Sequence, residues 1–243
     1  MDTSYPVTIL QFKETPKDTE ATKDFINKHG DLFDFVTFYT TYETDPMKLS
    51  SGGEYSMYHK KAQNYIEGIG ILVHDASSLY GSKGNLLGIN WMGKLRSDES
   101  YDNKVELAVN GILHETSHQW GAKVDFIDEN GQRSEALRSG SHWEKTLNSE
   151  YSFLGGFSWK ENTEGSFTAL QNTDDKKSYS DVDLYIMGLL PKERVEPLEL
   201  IIPTEKDIYI SPSITISGKM EIITIDQIIS ALGQRKCVIP EHR

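Results

Sequence analysis

The order of hydrophobic and polar positions predicts alternating strands and helices in the first hundred residues. Runs rich in β-branched and aromatic residues, which favour strands, occupy 7–12 and 34–42. A polar helix is predicted from Pro16 to His29, since proline opens that segment and Gly30 closes it. A second helix is predicted over 55–67.

Two further strands are predicted before residue 100. The continuous apolar run 68–74 is typical of a central strand that is buried on both faces. A turn-rich loop over 80–85 then leads to a strand at 86–92, in which Gly88 indicates a bulge or a close backbone approach. The resulting order of strand, helix, strand, helix, strand, strand is an α/β pattern with an antiparallel edge strand.

The clearest helix of the chain is predicted over 103–120, where apolar residues recur at helical spacing and Gly121 follows as a stop signal. Beyond Gly121 the chain is richer in Gly, Ser, Asn and Asp. We therefore expect a boundary there, between an N-terminal part, 1–121, and a loop-rich C-terminal part, 122–243. The apolar stripe of the helix consists of Val105, Ala108, Val109, Ile112 and Leu113.

The C-terminal part contains two further helix signals. Ser180 and Asp183 have the spacing of a capping box, which predicts a helix that runs to Leu190 before Pro191. Isoleucine-rich pieces after Leu198 indicate short strands, and 226–232 indicates a last helix.

Composition and charge exclude several classes of partner. The chain of 243 residues has 25 Lys and Arg against 37 Asp and Glu, a formal net charge of −12. Such a protein repels phosphate backbones and anionic membrane surfaces, so nucleic acid is not an expected partner. No apolar run has the length of a membrane span, and the first residues lack the features of a secretory signal. The single cysteine, Cys237, excludes an intrachain disulfide.

A zinc-binding motif lies in the helix predicted over 103–120. His114, Glu115 and His118 form the pattern H-E-x-x-H. Residues four apart on a helix lie one above the other, so both imidazoles can reach one Zn²⁺. Glu115 points to the adjacent side, where it can take a proton from a zinc-bound water. The spacing therefore predicts a zinc hydrolase.

The chain resembles the zincin metallopeptidases, and among them a group of bacterial, often exported, zinc metallopeptidases. The matching pieces lie within residues 34–232 and are Gly68–Gly70, Tyr80–Ser82, His114–Gly121, Ser141–Trp143 and Tyr179–Gly188. The resemblance implies an α+β, zincin-like fold: a mixed sheet and the active-site helix in the N-terminal subdomain, and a loop-rich C-terminal subdomain that completes the zinc site and the cleft. It also implies that strand 86–92 is the edge strand beside the cleft, where an extended peptide substrate pairs.

The third zinc ligand is open to several residues downstream of the motif. A catalytic zinc needs a third protein ligand and an open position for water. His142 is the favoured candidate, because it lies in a Gly- and Ser-rich loop and matches the His-Trp piece of the group. Glu135, Glu144 or Glu150 would complete a set of two histidines and a glutamate. Asp183 is the remaining alternative, although a helix-capping role suits it better.

Other residues are assigned minor roles. Tyr179 is predicted to hydrogen-bond the oxyanion of the reaction, as Tyr185 could also do. The remaining histidines are scattered along the chain and are assigned no ligand role; they are His29, His59, His74 and His242.

The function expected from these features is a zinc-dependent endopeptidase acting on a peptide or protein substrate, with Glu115 as general base. Two alternatives stay open: a zincin-fold module that binds at a surface without turnover, and a zinc hydrolase that does not cleave peptides. The resemblance implies an extracellular or cell-surface location. It names no substrate and no oligomeric state.

Overall fold

The structure, a computed structural model, describes residues 8–13, 16–41, 57–94, 101–170 and 177–238, apart from the side chains of 101–105 and 107. The described residues form two units. The first contains the residues up to Tyr65 together with Val73–Gln119, and the second contains Ile66–Leu72 and Trp120–Val238.

The described elements follow one another along the chain in a mixed order. They are α1 (Asp18–His29), β1 (Phe35–Thr40), β2 (Tyr58–Lys61), β3 (Gln63–Asn64), β4 (Ile66–Glu67), β5 (His74–Asp75), β6 (Gly88–Lys94), α2 (Tyr101–Ser117), β7 (Phe126–Ile127), β8 (Arg133–Ser134), β9 (Arg138–Ser139), β10 (His142–Asn148), β11 (Gly155–Phe157), β12 (Trp159–Thr163), β13 (Ser166–Ala169), α3 (Asp181–Met187), β14 (Leu198–Pro203), β15 (Thr215–Ile223), α4 (Ile225–Leu232) and β16 (Lys236–Cys237). Short 3₁₀ helices lie at Ser77–Tyr80 and Lys192–Arg194. The chain is therefore α+β, as expected.

A three-stranded sheet forms the frame of the first unit. Its order is β1–β6–β2, with β6 parallel to β1 and antiparallel to β2. Strand β6 is buried along nearly its whole length, because it has a partner on each side. A small apolar core packs the sheet against α1, and its buried members are Phe25, Ile26, Val36, Ala62, Tyr80, Leu86 and Ile89.

Strand β6 is thus the central strand of its sheet, and the expectation of an edge strand at 86–92 is wrong. The cross-strand partners of Ile89, for example, are Val36 on one side and Lys60 on the other. A strand paired along both sides has no free backbone groups for a further strand. The predicted pairing of a peptide substrate with 86–92 is therefore withdrawn, and β2 is the antiparallel edge strand.

The predicted helix at 55–67 is also wrong. Its described part forms β2, β3 and β4, while residues 55 and 56 lie outside the described residues. Tyr58 in β2 stacks on Trp91 of β6, with ring centroids 6.3 Å apart and nearly parallel planes. Pairing with a distant strand has overridden the local preference, as often happens in sheets.

The apolar run 68–74 does not form the predicted buried strand. Residues 68–73 are irregular, and the side chain of Leu72 is 87% exposed. Gly68 and Gly70 have positive φ values of 76° and 75°. A Cβ on Gly70 would overlap the carbonyl oxygen of Lys123, so glycine is required for this close passage of the chain.

The strand predicted at 7–12 is not formed either. Residues 8–12 have no regular structure, and Ile9 is 84% exposed. Val7 lies outside the described residues.

The second unit is built on a seven-stranded sheet. Six strands follow the order β11–β10–β14–β15–β13–β12, and β9 pairs with β10. The two longest ladders, between β14 and β15 and between β12 and β13, are antiparallel. An apolar core lies on this sheet, with the buried residues Trp159, Phe167, Ala169, Ile201, Ile210 and Ile216.

The helix signals are largely confirmed. Helix α1 ends at His29 before Gly30, and α4 ends at Leu232 before Gly233. The capping box of Ser180 and Asp183 opens α3, which ends three residues before the predicted Leu190 because Gly188 adopts a left-handed conformation there. Helix α2 begins at Tyr101 and ends at Ser117, three residues before the predicted end.

Candidate metal centre

The end of helix α2 brings the two histidines of the motif together, with His114 in its last turn and His118 directly after Ser117. The last turn tightens, since the main-chain N–H of His118 donates to the carbonyl of Glu115 at 3.1 Å. The Nε2 atoms of His114 and His118 lie 3.3 Å apart, with the two rings almost perpendicular. Two nitrogens bound to one tetrahedral zinc at 2.0–2.1 Å are also about 3.3 Å apart. The pair therefore has the spacing that a shared zinc requires.

Glu115 lies between the two histidines in the sequence and is buried, with 6% of its surface exposed. Burial raises the pKa of Glu115 to about 7, although the main-chain N–H of His59 donates to its carboxylate and opposes the rise. A carboxyl group that titrates near neutral pH can both accept and return a proton. The local environment of Glu115 thus suits acid–base chemistry.

His142 is the first residue of β10 and is half-buried. It belongs to the second unit, whereas His114 and His118 belong to the first. Its role as the third metal ligand stays a prediction.

The three glutamates that were alternatives for the third ligand lie, like His142, in the second unit. Glu135 is exposed and forms an ion pair with Arg138 at 2.7 Å. An oxygen of Glu144 accepts a hydrogen bond from the main-chain N–H of Lys145. Glu150 is exposed, with a positive φ of 49°.

Asp183, the last alternative ligand, is fully buried and has four hydrogen-bond donors. Its Oδ1 accepts from Nε1 of Trp143 at 2.8 Å. Its Oδ2 accepts from the hydroxyl of Ser152 at 2.7 Å, and from both the main-chain N–H and the hydroxyl of Ser180. Burial raises the pKa of Asp183, whereas these hydrogen bonds oppose the rise. Asp183 therefore caps α3 and ties it to the residue that follows His142.

The segment before His142 is held by an ion-pair cluster. Asp125 is 3% exposed and accepts from Arg133 at 2.7 Å and from Arg138 at 2.9 Å. Arg138 lies in β9, which pairs with β10 so that His142 faces Ser139. The cluster therefore orders the chain that leads into β10.

The two tyrosines occupy different environments. The ring of Tyr179 packs against Phe153 with centroids 5.0 Å apart. Tyr185 is buried, and its hydroxyl accepts from the main-chain N–H of Arg235 at 3.2 Å, which gives it a structural role. The proposed contact of Tyr179 with an oxyanion stays a prediction.

Sequence reasoning missed a polar network beside α2. Nδ1 of His59 lies 2.7 Å from Oδ1 of Asn90, and its Nε2 lies 2.9 Å from Oε1 of Gln119. The Asn90 amide also contacts the hydroxyl of Thr116 at 2.8 Å, and the Gln119 amide donates to the carbonyl of Gln63 at 2.8 Å. These residues come from four separate segments, so spacing could not reveal them.

One sequence signal did point to the network. Gly88 in β6 lies against the His59 ring, and a Cβ there would overlap Cε1 of His59 and lie 2.8 Å from its Nε2. Gly88 therefore has a close neighbour, but this neighbour is a side chain, and among the described residues neither the predicted bulge nor the predicted close backbone approach is found at Gly88.

Searches against protein-family models, curated proteins and solved structures found no match to this chain. Among the described residues, no helix combines the length and the apolar character that crossing a bilayer requires.

Proposed function

We propose that the protein is a zinc-dependent metallopeptidase of the zincin type, with His114, His118 and His142 as metal ligands. The observation that carries the proposal is the 3.3 Å separation of the Nε2 atoms of His114 and His118 at the end of α2, beside the buried Glu115. Imidazole nitrogens suit zinc, and three protein ligands leave a position for water.

The chemistry of three histidine side chains suits a zinc ion. Neutral imidazoles add no charge to a divalent ion, and His142 would add a third nitrogen donor to the pair formed by His114 and His118. Held by these residues, a zinc ion would lower the pKa of a bound water and polarise a peptide carbonyl. In this proposal the three histidines hold the metal ion, and Glu115 carries out the proton transfers.

Glu115 acts as the general base in this proposal. Its carboxylate accepts the proton that the attacking water releases and delivers it to the nitrogen of the leaving amine. In the metal-free protein burial raises the pKa of this carboxyl group, which shows that its surroundings do not hold it permanently ionised. Tyr179 is proposed to donate a hydrogen bond to the carbonyl oxygen as negative charge develops on it.

Metal content tests the ligand set. Purified protein loaded with zinc and dialysed should retain about one Zn²⁺ per chain. We expect His114→Ala, His118→Ala and His142→Ala to lose it, whereas His74→Ala, at an exposed histidine, retains it. Zinc retained by all four variants contradicts the site. If only His114→Ala and His118→Ala lose zinc, the third ligand is a residue other than His142.

Hydrolysis tests the role of Glu115. With a quenched-fluorescent peptide library as probe, we expect Glu115→Gln to keep its zinc and to lose about 10²-fold or more of the cleavage rate. Cleavage by this variant at the wild-type rate would refute the mechanism. Zinc binding by a wild-type protein that cleaves no library member would favour the binding-module alternative.

A further inference from the structure

The network beside α2 contains a histidine that the proposed mechanism does not use. His59 lies on the edge strand β2, opposite Asn90 of β6. Its ring bridges Asn90 at 2.7 Å and Gln119 at 2.9 Å, and Gln119 follows directly after the motif. The imidazole therefore joins two strands of the sheet to the end of α2.

The partners of the ring determine where its proton lies. The carbonyl of Gln63 can only accept, so the amide group of Gln119 must donate to it and the oxygen of Gln119 must face the ring. Nε2 of His59 must then carry a proton. The hydroxyl of Thr116 can donate as well as accept, so the Asn90 amide can present its NH₂ group to Nδ1 of the ring.

This arrangement satisfies every group with a neutral ring. Burial lowers the pKa of His59 to about 4, and the nearby charge of Lys61 acts in the same direction. The ring is therefore uncharged at neutral pH, with Nε2–H donating to Gln119 and Nδ1 accepting from Asn90. Gly88 provides the room that the ring needs, because any side chain at this position would overlap it.

The main chain of the same residue reaches Glu115, since the N–H of His59 donates to the Glu115 carboxylate. We propose that His59 is a positioning residue: its ring, fixed between Asn90 and Gln119, holds β2 against the end of α2 and keeps the His59 N–H on the Glu115 carboxylate. The inference rests on the proposed function of Glu115 as proton acceptor. It assigns His59 no contact with substrate or metal.

Kinetics of two ring variants test the proposal with the same peptide library. His59→Phe keeps a ring but loses both side-chain hydrogen bonds, whereas His59→Gln retains an NH₂ group that can donate to Gln119. We expect His59→Phe to keep one zinc per chain and an unchanged KM. Its kcat should fall about tenfold, because small displacements of a reacting group are costly. His59→Gln should recover most of the lost kcat.

Two kinetic results would overturn the proposal: a wild-type kcat in His59→Phe, or equal losses in the two variants. If His59→Phe does not fold, Asn90→Leu replaces it, since this variant removes the other partner of the ring and leaves His59 in place. A wild-type kcat in a folded Asn90→Leu protein would overturn the proposal equally.

Nuclear magnetic resonance gives a readout that does not depend on activity. Long-range ¹H–¹⁵N spectra at neutral pH should show His59 as the neutral Nε2–H tautomer, and Glu115→Gln should shift the amide resonance of His59 more than that of Lys61, two residues along β2. A protonated ring, the Nδ1–H tautomer or an unmoved His59 amide would refute the arrangement. Failure of the peptidase proposal appears separately, as missing zinc or as cleavage that does not depend on Glu115.

Discussion

Glu115 and Asp183 are both buried carboxylates on helices, yet they differ in the number of donors around them. Asp183 accepts four hydrogen bonds, from Trp143, Ser152 and twice from Ser180. In the described part of the chain, Glu115 has one donor, the main-chain N–H of His59. A buried carboxylate with its acceptor sites filled stabilises a fold, whereas one with free acceptor capacity can exchange protons. Hydrogen-bond saturation therefore separates the structural carboxylate from the one proposed as general base.

The largest effect on stability is expected at Asp183. Asp183→Asn keeps the shape of the side chain, but its NH₂ group must face a donor, such as Nε1–H of Trp143. We expect the free energy of unfolding to fall by about 4 kcal/mol, since breaking a buried charged network leaves several groups without partners. Urea denaturation followed by circular dichroism measures it.

Asp181→Asn is the matched control for this prediction. Asp181 lies two residues earlier in α3 and accepts one exposed hydrogen bond, from the main-chain N–H of Glu196. Its replacement should cost less than about 1 kcal/mol. Equal losses in the two variants would show that the four donors around Asp183 do not stabilise the fold.

The next effect is a pH dependence at Glu115 in the metal-free protein. Burial raises the pKa of Glu115 from 4.5 to about 7, so the folded state binds its proton more tightly than the unfolded state. The stability that the neutral carboxyl contributes is present below pH 4.5 and is lost as the pH rises through 7. The difference corresponds to about 3 kcal/mol.

Glu115→Gln removes this titration and leaves an uncharged side chain. The free energy of unfolding of Glu115→Gln minus that of the wild type should therefore increase by about 3 kcal/mol between pH 4.5 and pH 8. Glu106→Gln, the same change at an exposed position of α2, should follow the wild type. If the free energies of unfolding of Glu115→Gln and wild type change in parallel with pH, folding does not shift the pKa of Glu115. The distinction drawn between Glu115 and Asp183 would then be wrong.

The site was predictable from the sequence where it depends on local geometry. His114 lies in the last turn of α2 and His118 directly after its end, so the four-residue spacing predicted that the two rings are neighbours, as their 3.3 Å separation confirms. The capping role preferred for Asp183 followed from a four-residue pattern in the same way. His142 was favoured for its loop and its neighbour Trp143, and its ligation of a metal stays a prediction.

The pairing of strands was not predictable in the same way. The helix expected at 55–67 is strand because β2 pairs with β6, whose residues lie about 30 positions further along the chain. The same pairing brings His59 opposite Asn90 and makes β6 central, which removed the predicted edge. The network around His59 depends on these distant contacts, which the spacing of residues does not reveal. Its one sign in the sequence was Gly88, a glycine inside a strand.

The smallest effect is expected at Gly88, where the room beside the His59 ring can be tested. Gly88 and Gly111 both lie in regular elements without positive φ, so alanine is compatible with either backbone. A Cβ at Gly88 would overlap Cε1 of His59 and lie 3.0 Å from Oε1 of Gln119, whereas at Gly111 it would meet the flexible end of Met92 at 3.1 Å. Gly88→Ala should therefore destabilise the metal-free protein by about 2 kcal/mol through overpacking. Gly111→Ala should be neutral or stabilising by up to about 1 kcal/mol, because alanine favours a helix. Urea midpoints of the two variants decide: equal stabilities would mean that the ring is not held against β6, and the support that it gives to Glu115 would fail with it.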